Sequence, residues 1–168
     1  MKKLFTLFVI LLLAQIGKGQ SCSSCSINIT TNDTSSYTIG AGQTLCIDTT
    51  GNFTGNIILN GGTVCNNGFF KPNTISFTTG TINNLSNSIL KLNLTIDSGK
   101  IIFNQAGAIM SVDGTLTLSG GSLTNDGILN INQGLTNSSG TFINSNIINC
   151  TQLTGVGSIT NTGVINAN

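Results

Sequence analysis

Gly121-Ser122-Leu123-Thr124-Asn125-Asp126-Gly127-Ile128-Leu129-Asn130-Ile131 holds the phrase on which the rest of the chain is built. A glycine, a small hydroxyl residue, an apolar residue, a free position and an asparagine lead into a second glycine, and a run alternating apolar with polar residues follows. The phrase returns as Gly62-Thr63-Val64-Cys65-Asn66-Asn67-Gly68 and as Gly157-Ser158-Ile159-Thr160-Asn161-Thr162-Gly163. In Gly140-Thr141-Phe142-Ile143-Asn144-Ser145-Asn146 the closing glycine becomes asparagine, the next most tolerant residue for a left-handed turn. Weaker copies begin at Gly80 and Gly99, so the starts recur about every nineteen residues, and a fixed period of this size marks a repeat architecture.

Good helix formers are scarce. Leu116-Thr117-Leu118, Lys91-Leu92-Asn93-Leu94-Thr95-Ile96 and Ile128-Leu129-Asn130-Ile131 alternate as half-buried strands do, and Gly or Asn closes each run. Three short strands and three turns fit within one period, which makes one coil of a parallel solenoid. A sandwich of antiparallel hairpins also uses short strands, but it does not demand one register repeated along the chain. The expected fold is therefore all-β, a single-stranded parallel β-helix (β-solenoid) with about 19 residues per coil and about six coils over residues 42–168. Residues 20–41 break the pattern and are expected to cap the first coil.

Counting from each starting glycine defines columns. Two positions on lie Val64, Ile82, Ile101, Leu123, Phe142 and Ile159, the expected apolar core column. Four positions on lie Asn66, Asn84, Asn125, Asn144 and Asn161, with Asn104 one later in a longer coil. Stacked about 4.8 Å apart, each amide would donate to the next amide's oxygen, an asparagine ladder that satisfies polar groups at an internal corner. Gly68, Gly127 and Gly163 would then supply turns with φ > 0. The column between, Thr63, Thr81, Lys100, Ser122, Thr141 and Ser158, should be a solvated hydroxyl stripe.

Met1-Lys2-Lys3, the apolar run from Leu4 to about Ile16, and small residues at Gly17 and Gly19 read as a secretory signal peptide over residues 1–19, cut before Gln20. Gly19-Gln20-Ser21 lacks the aliphatic residue of a lipobox, which argues against a lipid anchor on Cys22. No other stretch approaches the roughly twenty apolar residues of a transmembrane segment. Export predicts an extracellular or outer-surface location. Cleavage leaves Lys71, Lys91 and Lys100 against five aspartates, without arginine, glutamate, histidine or tryptophan. So sparse a charge, with no basic patch, excludes nucleic acid as a partner.

Five cysteines survive processing. Cys46 and Cys65 lie one period apart and are the expected disulfide; Cys22 and Cys25 are a second candidate bridge, although four cysteines allow three pairings. Cys150 is left unpaired and buried in an apolar context. The Cys22-Ser23-Ser24-Cys25 motif superficially matches a redox CxxC, but no helix pattern follows to lower a thiol pKa.

A catalyst needs groups that titrate or bind metal, and the mature chain offers few. Asp97, Asp113 and Asp126 fall at different positions within their coils, and no Cys/His spacing or calcium-binding nonapeptide is present. No catalytic residue, cofactor site or metal site is expected. Flat solenoid faces with regular Thr-x-Thr rows can order water, so ice binding is one alternative; the rows here, such as Ser122-Leu123-Thr124 and Thr141-Phe142-Ile143, are irregular.

The phrases Leu123-Thr124-Asn125-Asp126-Gly127-Ile128-Leu129-Asn130 and Ile159-Thr160-Asn161-Thr162-Gly163-Val164-Ile165-Asn166 resemble the repeats of filamentous-haemagglutinin and autotransporter-type bacterial adhesins, over about residues 55–168. Leu45-Cys46-Ile47 through Gly61–Gly68 is similar to the N-terminal parts of secreted surface proteins in Bacteroidota. The resemblance implies a non-enzymatic, adhesin-like scaffold or stalk, with a glycan or a host or neighbour-cell surface as partner. The alternative is the non-catalytic N-terminal part of a carbohydrate-active β-helix enzyme. The coil begun at Gly157 carries no polar cap. The solenoid is therefore expected to be incomplete at its C-terminal end, meeting a downstream domain or another copy end to end.

Overall fold

The computed structural model describes residues 22–85 and 88–167. The signal peptide expected over residues 1–19 lies outside the described residues. The chain forms a parallel β-solenoid of about seven turns, about 19 residues apart, and no helix occurs among the described residues.

The strands lie on three faces. The first face stacks Ile27–Ile29, Thr44–Ile47, Asn56–Asn66, Thr74–Asn84, Lys100–Asn104, Ser122–Asn125, Thr141–Asn144 and Ser158–Asn161. The second stacks Asn32–Asp33, Asn52–Phe53, Phe69–Phe70, Ile89–Leu92, Ile109–Val112, Ile128–Ile131, Ile147–Cys150 and Val164–Ala167. The third holds Thr95–Asp97, Leu116–Ser119, Gly134–Asn137 and Gln152–Gly155. Earlier along the axis this face merges with the first, because Asn56–Asn66 and Thr74–Asn84 run eleven residues through the corner with shifts of register near Asn60.

Side chains point alternately in and out of each pleated strand. On the first face Leu45, Val64, Ile82, Ile102, Leu123 and Phe142 pair coil to coil, and all are fully buried. Phe53, Phe70, Leu90, Met110, Leu129 and Ile148 form the matching inner column of the second face. Phe53 stacks on Phe70 with ring centroids 5.6 Å apart. Apolar burial along these columns is the main drive for closing each coil. Ile159 belongs to the first column but is only partly buried, because no described coil lies beyond it.

Four expectations need correction. Ile101 is not in the core: it pairs with Thr81 and Ser122 and is 37 % exposed, while Ile102 fills the column. Lys100, not Gly99, pairs with Gly80, so the coil is one residue longer at that corner and the count from Gly99 is off by one. Lys100 accordingly leaves the hydroxyl column and Ile101 enters it.

Second, Gly68, Gly127 and Gly163 do not have positive φ, and neither does Asn146. Their want of a side chain is steric. A Cβ would come 2.2 Å from Asp48 O at Gly68, 2.4 Å from Ala108 O at Gly127 and 2.0 Å from Asn146 O at Gly163, so these glycines let successive coils touch at the turn.

Third, regular pairing begins inside the expected cap. Ile27, Asn28 and Ile29 are in register with Leu45, Cys46 and Ile47, and Ser36–Gly40 pairs with the start of Asn56–Asn66. This first turn escapes a search on the asparagine phrase because Ile29 and Ile47 occupy the ladder column.

Fourth, the disulfides are Cys22–Cys65 and Cys25–Cys46, with Cα atoms 5.7 and 5.6 Å apart. Cys46 and Cys65 are direct register partners as the period requires, but both point outward and each is bonded to residues 22–25. The bend at Ser24, with φ of 64°, lets four residues present two thiols to neighbouring coils. This strap runs along the axis over the first face, covering Cys46, Cys65 and Leu85. The bond to Cys65 also occupies the Cys22 sulfur. Cys150 is a free, buried cysteine.

Candidate interaction surfaces

The asparagine ladder fixes the geometry of every outward surface. Asn66 Nδ2 donates to Asn84 Oδ1 at 2.7 Å, Asn84 to Asn104 at 2.8 Å, and Asn104 to Asn125, Asn125 to Asn144 and Asn144 to Asn161 at 2.7 Å each. Each of the first four also donates to the carbonyl that opens the next coil's second-face strand: Ile89, Ile109, Ile128 and Ile147, at 2.9–3.1 Å. Asn66 to Asn144 are buried, so water cannot supply these partners. The expected ladder residues are thus brought together in one line, and the line has a direction.

On the outside of the first face lie Thr63, Thr81, Ile101, Ser122, Thr141 and Ser158, and beside them Cys65, Asn83, Phe103, Thr124, Ile143 and Thr160. Ile101, Phe103 and Ile143 interrupt the hydroxyl rows.

The second face carries an ordered outer surface that sequence reading missed. Phe69, Ile89, Ile109, Ile128, Ile147 and Val164 stack in register on its outside, partly buried by one another except for Val164. Next to this apolar stripe runs Lys91, Ser111, Asn130, Asn149 and Asn166. Here Asn166 Nδ2 donates to Asn149 Oδ1 and Asn149 Nδ2 to Asn130 Oδ1, both at 2.8 Å, in the opposite sense to the inner ladder. Its signal was present in the sequence as an aliphatic-x-Asn run after Gly127, Asn146 and Gly163. Asn137, buried at the end of the third face, was also missed; it accepts from Gly140 N and donates to Ser158 O, both at 2.9 Å.

The charged groups are dispersed, and several engage near neighbours. Lys100 Nζ lies 2.9 Å from Asp97 Oδ2 and 5.7 Å from the Phe77 ring centre. Lys91 sits over Phe69 at 5.8 Å. Asp33 accepts from Ser35 N and Tyr37 OH, each at 2.7 Å, and these bonds hold its carboxyl below the ordinary carboxylate value. The same carboxylate pushes the Tyr37 phenol up, and burial pushes the Cys150 thiol up. Among the described residues no three His, Cys, Asp or Glu side chains form a cluster fit to hold a metal ion. A shallow groove of about 400 Å³ lies outside the early coils, lined by Tyr37, Ile58, Ile75 and hydroxyl residues. No helix of the described residues is long and apolar enough to cross a membrane.

No protein-family model matches the chain, and neither a curated protein nor a solved structure is found similar to it. The fold rests on the register of the chain itself.

Proposed function

We propose that this chain is a non-enzymatic, exported β-solenoid that serves as an adhesin-like scaffold or stalk at the cell surface or outside it. The observation that carries this reading is the single inner ladder from Asn66 to Asn161. It ties six successive coils of a solenoid of about seven turns onto one axis, a rod of roughly 35 Å at the strand spacing of a sheet. Such a rod offers long side faces, and the stripe from Phe69 to Val164 beside the Asn130–Asn166 row is a regular surface of the kind a glycan or a neighbouring cell-surface polymer meets over many repeats. Two disulfides at its N-terminal end suit an oxidising compartment. The repeat's resemblance to filamentous-haemagglutinin and autotransporter-type adhesins, and the N-terminal resemblance to Bacteroidota surface proteins, support the same reading.

The test has two parts. Expression of the full chain in a bacterium should place it outside the cytoplasm with its N-terminus at Gln20; uncleaved cytoplasmic protein contradicts export. The purified chain should bind members of a broad array of glycans, matrix proteins and cell surfaces, and Ile128→Asp on the outer stripe should weaken that binding. An array without a single binder removes the adhesive role and leaves the stalk.

A further inference from the structure

Successive coils are not joined alike. Between the coil of Ile89–Leu92 and the next, ladders run on all three faces: Ile89–Leu92 with Ile109–Val112, Thr95–Asp97 with Leu116–Ser119, and Lys100–Asn104 with Ser122–Asn125. One step earlier the joint is thinner. The first face still pairs residues 80–84 with Lys100–Asn104. Among the described residues, however, the second face joins only Phe69 and Phe70 to Ile89 and Leu90, and no ladder on the third joins residues 74–79 to Thr95–Asp97. Pro72, the one proline of the chain, accounts for part of the change. Counted on from Phe70 it stands opposite Leu92, and it has no N–H to carry the second-face ladder further.

A side chain spans the open side of this joint. Lys100 stands at the corner where the first face resumes, and only 11 % of its side chain is exposed. Its Nζ donates to Thr95 O at 3.1 Å and to Asp97 Oδ2 at 2.9 Å within its own coil, and lies 5.7 Å from the ring centre of Phe77 in the coil before. Covalent reinforcement is also divided here. Both disulfides, Cys22–Cys65 and Cys25–Cys46, lie in coils before the joint, and the cysteine beyond it, Cys150, is free.

We propose that the solenoid is two cooperative bodies, residues 22–84 and 88–167, hinged along the first face between residues 80–84 and Lys100–Asn104, with Lys100 as the latch that closes the opposite side. The first-face ladder and the Asn84–Asn104 bond form the spine of the hinge. Opening lifts the Lys100 head off the Phe77 ring and breaks the short second-face link, in which Ile89 N donates to Gly68 O at 2.9 Å. A body with few bonds to its neighbour opens and unfolds on its own. The hinge would let the rod bend at one place whatever its side faces bind.

Amide hydrogen exchange read by NMR on the full, oxidised chain tests both parts. In rising urea, Ile109–Val112 and Ile128–Ile131 should lose protection together, about 1 M before Thr44–Ile47 and Asn56–Asn66, because the bridges restrain only the earlier body. One shared midpoint for all four strands overturns the two bodies. Without urea, Lys100→Met keeps the stem and drops the charge, while Phe77→Leu drops the ring and keeps the ion pair. Each should speed exchange of the Ile89 N–H about tenfold and leave the Ile128 N–H, bonded to Ala108 O beyond the joint, within about twofold. Equal acceleration at Ile89 and Ile128 means a chain that opens as a whole, and no acceleration at Ile89 in either variant means that Lys100 latches nothing; each result overturns the hinge.

Discussion

Cys46 and Cys65 lie side by side on adjacent coils, yet each is bonded to the strap rather than to the other. The two bridges close separations of 21 and 43 residues and tie residues 22–25 across successive coils. Peptide mapping under non-reducing conditions should recover Cys22 with Cys65 and Cys25 with Cys46. Replacing Cys25 and Cys46 together by serine should cost about 3 kcal/mol in chemical denaturation, and replacing Cys22 and Cys65 should cost somewhat more, because the longer loop restrains the unfolded chain further.

The inner ladder is costly to break in its middle and cheap to break at its end. Asn125→Ala takes the acceptor from Asn104 and the donor from Asn144 Oδ1, and leaves a cavity in a dry corner. A loss of about 3 kcal/mol is expected. Asn161→Ala removes the acceptor of the Asn144 N–H and a long donation to Gly163 O, but at an exposed position where water replaces both, and should cost under about 1 kcal/mol. Urea unfolding of the two variants measures the contrast.

Ile101 and Ile102 test the register by one residue. Ile102→Ala empties a fully buried site between Ile82 and Leu123 and should cost about 2–5 kcal/mol. Ile101→Ala, on the outside of the same strand, should cost less than about 1 kcal/mol. Comparable losses would mean that the corner at Lys100 is misassigned.

Alkaline pH should loosen the fold through Cys150 and Tyr37. Both pKa values are raised in the folded chain above ordinary values of 9.0 and 10.0, by burial at Cys150 and by the Asp33 hydrogen bond at Tyr37. The unfolded chain therefore loses these protons first, so stability is complete below about pH 9 and falls as pH rises through the folded values. Cys150→Val should flatten the first part of that fall in melting temperatures taken from pH 8 to 11. At the acid end Asp33, held below its ordinary 3.8, contributes stability above that pH that is lost as pH falls through the folded value.

The solenoid itself was legible because stacking in register forces the same side-chain type onto each coil, so Val64, Leu123 and Phe142 announce one column and Asn66, Asn125 and Asn144 another. Corners were less legible. A glycine looks the same in sequence whether it holds positive φ, as Gly80 and Gly99 do, or yields space to a neighbouring carbonyl, as Gly68 and Gly127 do. The off-by-one at Ile101 has the same origin, since in sequence Gly99 looks like the partner of Gly80, a place that Lys100 holds. The strap escaped because spacing along the chain reports which cysteines share a column, not which lie across it. The outer stripe of the second face was written in the repeat, but alternation alone does not say which of Ile128 and Leu129 faces the core; stacking with Ile109 and Met110 decides it.

The most direct test of rung-on-rung stacking is an NMR measurement of the ladder amides in the isotopically labelled chain. Asn84, Asn104 and Asn125 should show side-chain N–H groups that exchange slowly with water, each with a through-hydrogen-bond coupling to the side-chain carbonyl of the asparagine one coil later. Side-chain amides that exchange at the rate of free asparagine, with no such couplings, would contradict the account.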